Sequence, residues 1–368
     1  FEGSSLLLSN DSSIVRFSYE FMGKRPAYFF SNERLLTLNL NRGLERIPNL
    51  TAPRTQVSSL NITDWKNSTR PKVNGNPLSL KPYERSLSVA IANDGQQFLL
   101  GADWSLRLFD KQGHQKWQVQ VPGEAWGVNI ASNGKVAVAS LGDGTLRWYR
   151  LHDGQELLAL FPHKDGKRWI LWNPQGYYAA SPGAEELIGW HINNGSDKAA
   201  DFFTAARFRE HYYHPDVVTS VLDSLNPDEV GSVKGDANNV PMQSLAFQPQ
   251  LPPVVTLLSP QNGMTFSDSN IELRYRVRTP ANALITNIKV LIDGRPLGKR
   301  GLERIGPQLT NSEQSLQISV PPRDVEISLI AENRYAASEA ATVHLRWQGK
   351  PPADFVIKPK LYVLAVGV

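Results

Sequence analysis

The chain has 368 residues, 41% of them apolar, and a net charge of +4, so it is long enough for two or three globular domains and carries no basic tail for nucleic acid. It contains no cysteine, which excludes disulfides, thiolate-bound zinc and a cysteine nucleophile within these residues. No apolar run approaches the roughly 18 residues that span a bilayer, and the start is not a signal peptide. The first residue is Phe1, and we expect that the natural N-terminus has been removed. A cytoplasmic location is the working expectation, although a cysteine-free chain suits reducing and oxidising compartments alike.

The first 85 residues contain strand-like runs followed by a polar stretch. Near-alternation of apolar residues predicts strands over 6–9, 14–17, 27–30 and 35–38. Residues 41–85 are rich in Asn, Pro, Ser and Lys, and we expect there a unit of the repeat described below, a blade, with a long, polar, exposed insertion.

Residues 86–192 repeat one pattern three times: an apolar run, a turn, a second run, a loop ending in an acid, and a third run. The third runs begin at Leu106, Leu146 and Leu187, which are 40 and 41 residues apart. A period near forty with several short strands in each period is the signature of a β-propeller blade. The first turns share a final glycine, which we expect to adopt positive φ. These glycines are Gly95, Gly134 and Gly176.

An acid precedes the third run in the first two repeats, namely Asp103 and Asp143. In WD-repeat blades an acid at this place accepts hydrogen bonds inside a turn, so a structural role is favoured over a catalytic one. The third repeat has Glu185 and Glu186 there, which predicts a turn that is built differently.

Stacked blades bury their faces against one another, and propeller rings usually close with about four to eight of them. Residues 1–200 are therefore predicted to form a WD-repeat β-propeller segment of four or five blades. Two alternatives remain open, an unusually small ring and a ring with further blades upstream, and the second is favoured.

The periodicity changes after this segment. Apolar residues at helical spacing over 198–211, and Pro215 followed by Asp216, predict two helices and hence a helical appendix over 201–226. Residues 227–252 have the composition of a linker. Six short strand-like runs within 253–348 predict an immunoglobulin-like β-sandwich, although one without the cysteines of antibody domains.

The last residues follow a different pattern again. A second linker is predicted over 349–360, and 361–368 is a continuous apolar run typical of a strand buried on both faces of a parallel sheet. We expect this strand to begin an α/β domain that lies mostly beyond the chain. The predicted fold class is therefore all-β, with a truncated α/β domain at the C-terminus.

Residues 358–368 resemble the opening strand of a caspase-like cysteine protease domain of the bacterial metacaspase or orthocaspase kind. Residues 161–169, 176–183, 187–191 and 200–203 resemble the last blade of bacterial proteins that join WD repeats to such a domain. The resemblance implies that the chain is the non-catalytic front part of an endopeptidase with a His–Cys dyad. Both members of the dyad follow the first strand in that family, so no catalytic, cofactor-binding or metal-binding residue is assigned here.

The predicted function is that of a regulatory or substrate-recognition region of a caspase-like protease. Its expected partners are a protein or peptide on the propeller surface and the caspase-like domain downstream, with no cofactor, no nucleic acid and no membrane span. Two alternatives stay open: a stand-alone interaction scaffold without enzymatic activity, and a propeller hydrolase with a metal at its axis.

Two histidine motifs are candidate sites for metal binding or acid–base chemistry. His211 and His214 are three residues apart, as metal ligands on a helix can be, but Pro215 predicts that the helix ends there and no third ligand is evident. His163 and Asp165 share a blade loop and form a conceivable acid–base pair. No serine nucleophile motif accompanies them, so a structural turn is favoured.

Cations and tryptophans form two further patterns. Arg274, Arg276 and Arg278 alternate along a strand and are predicted to share its wet face, where a basic binding stripe is a second interpretation. Most tryptophans of the blades are predicted to be core, at about 2–3 kcal/mol each, with one or two on the top surface gripping a peptide. They are Trp104, Trp126, Trp148, Trp169, Trp172 and Trp190.

Overall fold

The computed structural model describes residues 6–20, 24–38, 49–193, 196, 199–227, 251–279, 283–297 and 313–349. The chain divides into two compact units, Phe1–Pro241 and Met242–Val368. Regular structure in the described residues is almost entirely β-strand, which confirms the predicted all-β class. Most of the predicted linker 227–252, nearly all of the linker 349–360, and the terminal strand 361–368 lie outside the described residues.

The strands described in the first unit form antiparallel meanders, in which each strand pairs with the next along the chain. The first sheet contains β1 (Leu7–Leu8), β2 (Ile14–Ser18), β3 (Pro26–Phe30) and β4 (Leu35–Thr37), and a small sheet contains β5 (Ile62–Thr63), β6 (Lys72–Val73) and β7 (Asn76–Pro77). The next sheet contains β8 (Ser86–Ile91), β9 (Gln97–Ala102), β10 (Ser105–Asp110) and β11 (Gln115–Gln120). A six-stranded sheet follows, with β12 (Ala125–Ile130), β13 (Val136–Leu141), β14 (Leu146–Arg150), β15 (Glu156–Pro162), β16 (Trp169–Trp172) and β17 (Tyr178–Ala180), and then a hairpin of β18 (Gly189–Ile192) and β19 (Asp201–Thr204).

The repeated turns have the geometry that their glycines predict. Gly95, Gly134 and Gly176 have φ values of +66°, +69° and +90°. Each glycine amide donates a hydrogen bond of 2.9–3.0 Å to the carbonyl three residues earlier, which closes the turn. Because a side chain is strained at such φ values, glycine at these positions fixes where one strand ends and the next begins.

Four of these sheets lie face to face in one stack. Alternate residues of β9 show the arrangement: Phe98 and Leu100 pack towards the small sheet, whereas Leu99 packs towards the six-stranded sheet. The opposite face of the six-stranded sheet, including Val138 and Trp148, packs on the first sheet. The two middle sheets are therefore buried on both faces.

The first strands of three sheets meet around one extended segment. Thr51 exchanges backbone hydrogen bonds of 2.8 and 3.1 Å with Leu8 of β1, and the amide of Ile91 in β8 donates to the carbonyl of Arg54 at 2.7 Å. Asn129 of β12 donates through Nδ2 to the carbonyl of Thr51 at 2.9 Å. This segment ties the inner edges of the stacked sheets to one another.

The region predicted to be a blade with a polar, exposed insertion contributes one layer of the stack. Leu60, Ile62, Val73 and Leu78 are buried against the sheet of β8–β11. These four apolar residues are scattered among polar ones, so the sequence does not show which part of 41–85 belongs to the layer and which to the insertion.

The predicted helix over 198–211 is wrong in its first half. Asp201–Thr204 is β19, which pairs antiparallel with β18 from Gly189 to Ile192. Phe203 is buried and Phe202 is exposed, so burial follows the period of a strand rather than that of a helix. As a consequence, β18 pairs with β19 and not with the preceding strand, unlike the corresponding strands of the first two repeats.

Helices follow directly after this hairpin. A short 3₁₀ helix (Ala205–Phe208) leads into α1 (Arg209–Tyr212), and α2 (Pro215–Ser224) begins with the proline that predicts it. Three valines of α2 join the core between the first sheet and the six-stranded sheet. They are Val217, Val218 and Val221.

The described part of the second unit consists of two sheets that share one core. One sheet is ordered β20 (Val254–Ser259), β22 (Asn270–Arg278), β25 (Glu313–Ser319). The other is ordered β21 (Thr265–Phe266), β27 (Ala341–Trp347), β26 (Val325–Asn333), β23 (Ile285–Ile292), β24 (Arg295–Pro296). All pairs are antiparallel except β21 with β27. Each of the six predicted runs lies mostly within one of these strands, and their alternate residues form the core between the sheets.

Candidate binding surface

The tryptophans of the first unit divide by exposure. Trp148 and Trp169 are buried, while Trp104 and Trp126 are 39% and 44% exposed. The sequence predicts that most of the six are core, with one or two on the surface, but only Trp148 and Trp169 are buried, and Trp172 and Trp190 are half-buried. Covering the apolar surface of an exposed indole with a partner is favourable, so the positions of Trp104 and Trp126 are candidates for a binding surface.

Trp126 is exposed because β12 contains a bulge. The register of β12 against β13 shifts between Ala125 and Gly127, which leaves Trp126 as the extra residue. Its amide donates to the carbonyl of Glu124 at 3.0 Å, in a tight local turn. The bulge turns the indole out of the core face, where an unbroken strand would place alternate residues.

Trp104 lies in the turn between β9 and β10, directly after Asp103. The Asp103 carboxylate accepts three hydrogen bonds from Arg85: from the backbone amide at 2.8 Å, from Nε at 3.1 Å and from Nη2 at 3.0 Å. Arg85 also donates through Nη1 to Asn67 at 2.9 Å. Asp103 is thus structural, as predicted, but it is held by Arg85 rather than by its own turn.

Both tryptophans lie at the same end of two adjacent sheets. A Cβ at Gly101 would come within 2.9 Å of Ala125, the residue before Trp126, so the sheets are in close contact here. Ser88 crosses the same interface and donates to the carbonyl of Ala125 at 2.7 Å. The surface formed by Arg85, Trp104, Glu124 and Trp126 is hereafter the tryptophan edge.

A neighbouring turn supports the tryptophan edge. Asp143 accepts from the amide and hydroxyl of Thr145 at 3.0 and 2.7 Å, the in-turn role predicted for it. The amide of Gly142 donates to the carbonyl of Glu124 at 2.9 Å. A Cβ at Gly123 would lie 2.8 Å from the amide nitrogen of Asp143, so the two loops pack backbone to backbone.

Glu185, the acid of the third repeat, makes different contacts, as predicted. Its carboxylate accepts from the hydroxyl of Tyr178 at 2.9 Å and pairs with Arg209. It therefore joins the six-stranded sheet to α1 instead of closing a turn.

His163 and Asp165 lie in a turn stabilised by charge. His163 Nδ1 is 3.0 Å from Asp165 Oδ2, and Arg168 Nε donates to the same oxygen at 2.7 Å. Burial tends to raise the pKa of Asp165, but hydrogen bonds from Arg168 and Lys167 outweigh it and hold the pKa well below the usual range. A carboxylate held ionised in this way is a poor general base, which agrees with the structural interpretation.

The two histidines weighed as metal ligands do not share a helix. His211 is exposed in α1, whereas His214 precedes α2 and stacks edge-on against Tyr177 at 5.5 Å between ring centroids. Among the described residues, no group of three or more metal-ligating side chains comes together. No helix in the described part of the chain is long and apolar enough to cross a bilayer.

The arginines of β22 lie on the outer face of its sheet, as predicted. Arg274 and Arg276 are exposed and Arg278 is half-buried. Arg274 pairs with Glu313 of the adjacent β25. Part of the stripe's charge is therefore neutralised within the sheet.

Two cavities are present elsewhere in the described part of the first unit. One of about 250 Å³ is apolar and lies beside Trp172, Tyr178 and Trp190. The other, of about 270 Å³, is bounded by Arg54 and Asn129 at the segment that joins the inner strands. Neither holds a convergent set of catalytic groups.

Three residues at or beside the tryptophan edge, Arg85, Glu124 and Tyr83, are not singled out by any sequence pattern. Glu124 carries no motif, and only the bulge after it shows that it borders an exposed indole. Tyr83, two residues before Arg85, is 90% exposed. A Tyr-Glu-Arg stretch before a strand gives no signal of exposure by itself.

Comparisons with known proteins do not assign a family. No family model and no curated protein matches the chain. Among solved structures, the fibronectin(III)-like modules of Clostridium thermocellum CbhA match at 12% identity over 71% of this chain and 94% of theirs, with a TM-score of 0.22. Kuenenia stuttgartiensis hydrazine synthase matches at 11% identity over 55% of this chain and 46% of its own, with a TM-score of 0.21. The computationally designed Ika4 protein matches at 16% identity over 26% of this chain and 71% of its own, also with a TM-score of 0.21. Scores this low carry no argument about fold or function.

Proposed function

We propose that the chain is a protein-recognition module whose tryptophan edge binds a peptide segment of a partner protein. The observation that carries this proposal is the pair of exposed indoles, Trp104 and Trp126, held at one end of two closely packed sheets. Tryptophan is enriched among the residues that dominate binding energy at protein interfaces. Because the bulge and the Asp103–Arg85 contact fix the backbone beside each indole, a partner would order few additional groups on binding.

The scaffold of this surface is proposed to be a segment of a WD-repeat β-propeller. The forty-residue period, the four-layer stack and the convergence of three first strands on the segment from Thr51 to Arg54 support this proposal. In the second unit, two sheets with one shared core support an immunoglobulin-like sandwich. Such a sandwich would space the recognition module from a following domain.

The proposed parent protein is a caspase-like cysteine protease, of which this chain is a regulatory or substrate-recognition part. The support is the sequence resemblance of residues 161–169, 176–183, 187–191, 200–203 and 358–368. The reading frame after Val368 tests it: a downstream histidine and cysteine support the protease, and a stop codon supports the stand-alone scaffold. The isolated chain is expected to cleave no peptide with a basic or acidic P1 residue, and cleavage would contradict the assignment.

Peptide selection tests the binding proposal. A phage library of random dodecapeptides is selected on the full chain and, in parallel, on the Trp104→Ala/Trp126→Ala variant. A matched control, Leu35→Ala/Phe202→Ala, removes two exposed apolar side chains elsewhere in the first unit. We expect peptide families that are enriched on the wild-type chain and the control but lost on the double tryptophan variant. Equal enrichment on all three proteins, or none on the wild type, would overturn the proposal.

A further inference from the structure

Glu124 presents a carboxylate at the tryptophan edge that no cation in the described residues pairs with. The nearby Arg85 is engaged by Asp103 through both Nε and Nη2. Arg147, on β14 of the six-stranded sheet, pairs with Glu156 at 2.9 Å and with Asp143 at 3.2 Å. Arg85 and Arg147 therefore each pair with acids of their own, and no ion pair to Glu124 forms among the described residues.

The position of Glu124 is fixed by its neighbours. Its carbonyl accepts from the amides of Trp126 and Gly142, at 3.0 and 2.9 Å. Its carboxylate lies directly over Gly142, in space that a Cβ there would fill. The pKa of Arg85 is raised chiefly by its hydrogen bonds to Asp103 and, to a smaller extent, by the charge of Glu124. The Glu124 carboxylate is therefore close enough to attract a cation at the tryptophan edge.

Local charge differs in sign from that of the whole chain. The tryptophan edge and its paired acid hold two carboxylates, from Asp103 and Glu124, against the guanidinium group of Arg85, which leaves a local charge of −1. The chain as a whole carries +4. A cationic partner group is therefore attracted to this edge specifically, while an acidic peptide is repelled from it.

We infer that the tryptophan edge selects a lysine or arginine side chain of its partner, which lies over an exposed indole and is neutralised by Glu124. This inference rests on the proposed function, because it names the chemistry of the peptide bound there. A cation over the face of tryptophan is attracted by the ring quadrupole, and arginine also stacks its planar group on the ring. An unpaired acid beside the ring adds charge complementarity that an apolar peptide cannot use.

The test uses the same dodecapeptide library with two further variants. Glu124→Gln removes the charge and keeps the shape, and Glu210→Gln removes an exposed acid of α1 as a matched control. On the wild-type chain and the control, we expect enriched peptides to share one Lys or Arg position. Replacing that residue by norleucine in a synthetic peptide should weaken binding about tenfold on the wild-type chain but only about threefold on Glu124→Gln, where the attraction to the indole remains. Unchanged melting temperatures of the variants exclude misfolding as the cause.

The outcomes separate this inference from the proposed function. Enrichment that depends on the tryptophans but shows no basic position, or a loss on norleucine substitution that is as large on Glu124→Gln as on the wild-type chain, overturns the inference and leaves the proposed function standing. Absence of tryptophan-dependent enrichment overturns both. A reversal variant, Glu124→Lys, gives an independent readout, because it is expected to exchange the basic position for Asp or Glu.

Discussion

Arg107 and Arg147 occupy the same position in successive sheets, forty residues apart. Arg107 Nε donates to the hydroxyl of Ser105 at 3.1 Å, and Arg147 Nε donates to that of Thr145 at 3.0 Å. In both cases Nη1 reaches the next strand of the same sheet, and Nη2 reaches a carboxylate. The repeat in the sequence is thus also a repeat of one side-chain hydrogen-bonding arrangement.

The two arginines differ in burial, which predicts different costs of removal. The side chains of Arg107 and Glu84 are 5% and 0% exposed and lie 2.5 Å apart, whereas that of Arg147 is 17% exposed. Arg107→Met leaves Glu84 charged and buried, and we expect it to lower the free energy of unfolding by about 3–5 kcal/mol. Arg147→Met should cost about 1 kcal/mol because water reaches its partners.

Urea unfolding followed by tryptophan fluorescence measures this difference, since eight of the nine tryptophans lie in the first unit. The double variant Glu84→Leu/Arg107→Met is expected to recover much of the loss, because it removes the unpaired charge. Equal losses in the free energy of unfolding for the two single arginine variants would show that burial of the Arg107–Glu84 pair does not set the effect of removing the arginine.

The close contact between two sheets at Gly101 predicts that a side chain at this position lowers the stability of the first unit. An alanine there has an ordinary backbone conformation but would place its Cβ 2.9 Å from both the Cβ and the carbonyl oxygen of Ala125. Gly101→Ala is therefore expected to destabilise the first unit by about 1–3 kcal/mol through overpacking. In Gly101→Ala/Ala125→Gly part of the clash is relieved, and a partial recovery in urea unfolding is expected. A neutral single variant would contradict the close contact.

The turn around Asp165 predicts a dependence of stability on acid. The folded-state pKa of Asp165 lies below its unfolded value of about 3.9, so its contribution is fully present above that pH and is lost as pH falls through the folded pKa. We expect the stability difference between the wild-type chain and Asp165→Asn to be constant above about pH 5 and to shrink below about pH 4. Urea unfolding at a series of pH values measures it. A difference that stays constant into acid would contradict the low pKa.

Tryptophan substitutions should separate stability from binding. Trp148 is fully buried and donates through Nε1 to the carbonyl of Ser12 at 2.9 Å, which joins two sheets of the stack. Trp148→Ala is expected to cost about 3–5 kcal/mol. Trp104→Ala and Trp126→Ala should each change stability by less than about 1 kcal/mol, because both indoles already contact water. Thermal unfolding of the three variants checks the order, and a large loss at Trp126 would assign it to the core.

The strands of the repeats were predictable because several local signals coincide. Apolar runs at a fixed spacing, such as those that begin at Leu106 and Leu146, are followed or preceded by turns with a required glycine. The strand at Asp201–Thr204 was not predictable in the same way. Its phenylalanines fit a helical stripe and an alternating strand equally well, and the pairing with β18 decided between them.

The tryptophan edge depends on contacts between distant residues, which a sequence pattern does not report. The pairing of Asp103 with Arg85 joins residues 18 apart, one directly after β9 and the other directly before β8, and among the described residues it leaves Glu124 without an ion pair. The exposure of Trp126 follows from one extra residue in β12, which no local motif marks. The sequence alone therefore places tryptophans in the repeats without showing which of them face solvent.

The central claim, that a partner peptide covers Trp104 and Trp126, is tested most directly by ¹⁹F NMR. The chain is labelled with 5-fluorotryptophan, and the two resonances are assigned from Trp104→Phe and Trp126→Phe. On titration with the peptide most enriched on the wild-type chain, these two resonances are expected to shift and saturate together while that of Trp148 stays in place. Saturation with shifts confined to other tryptophans would show that binding takes place elsewhere and would contradict the account.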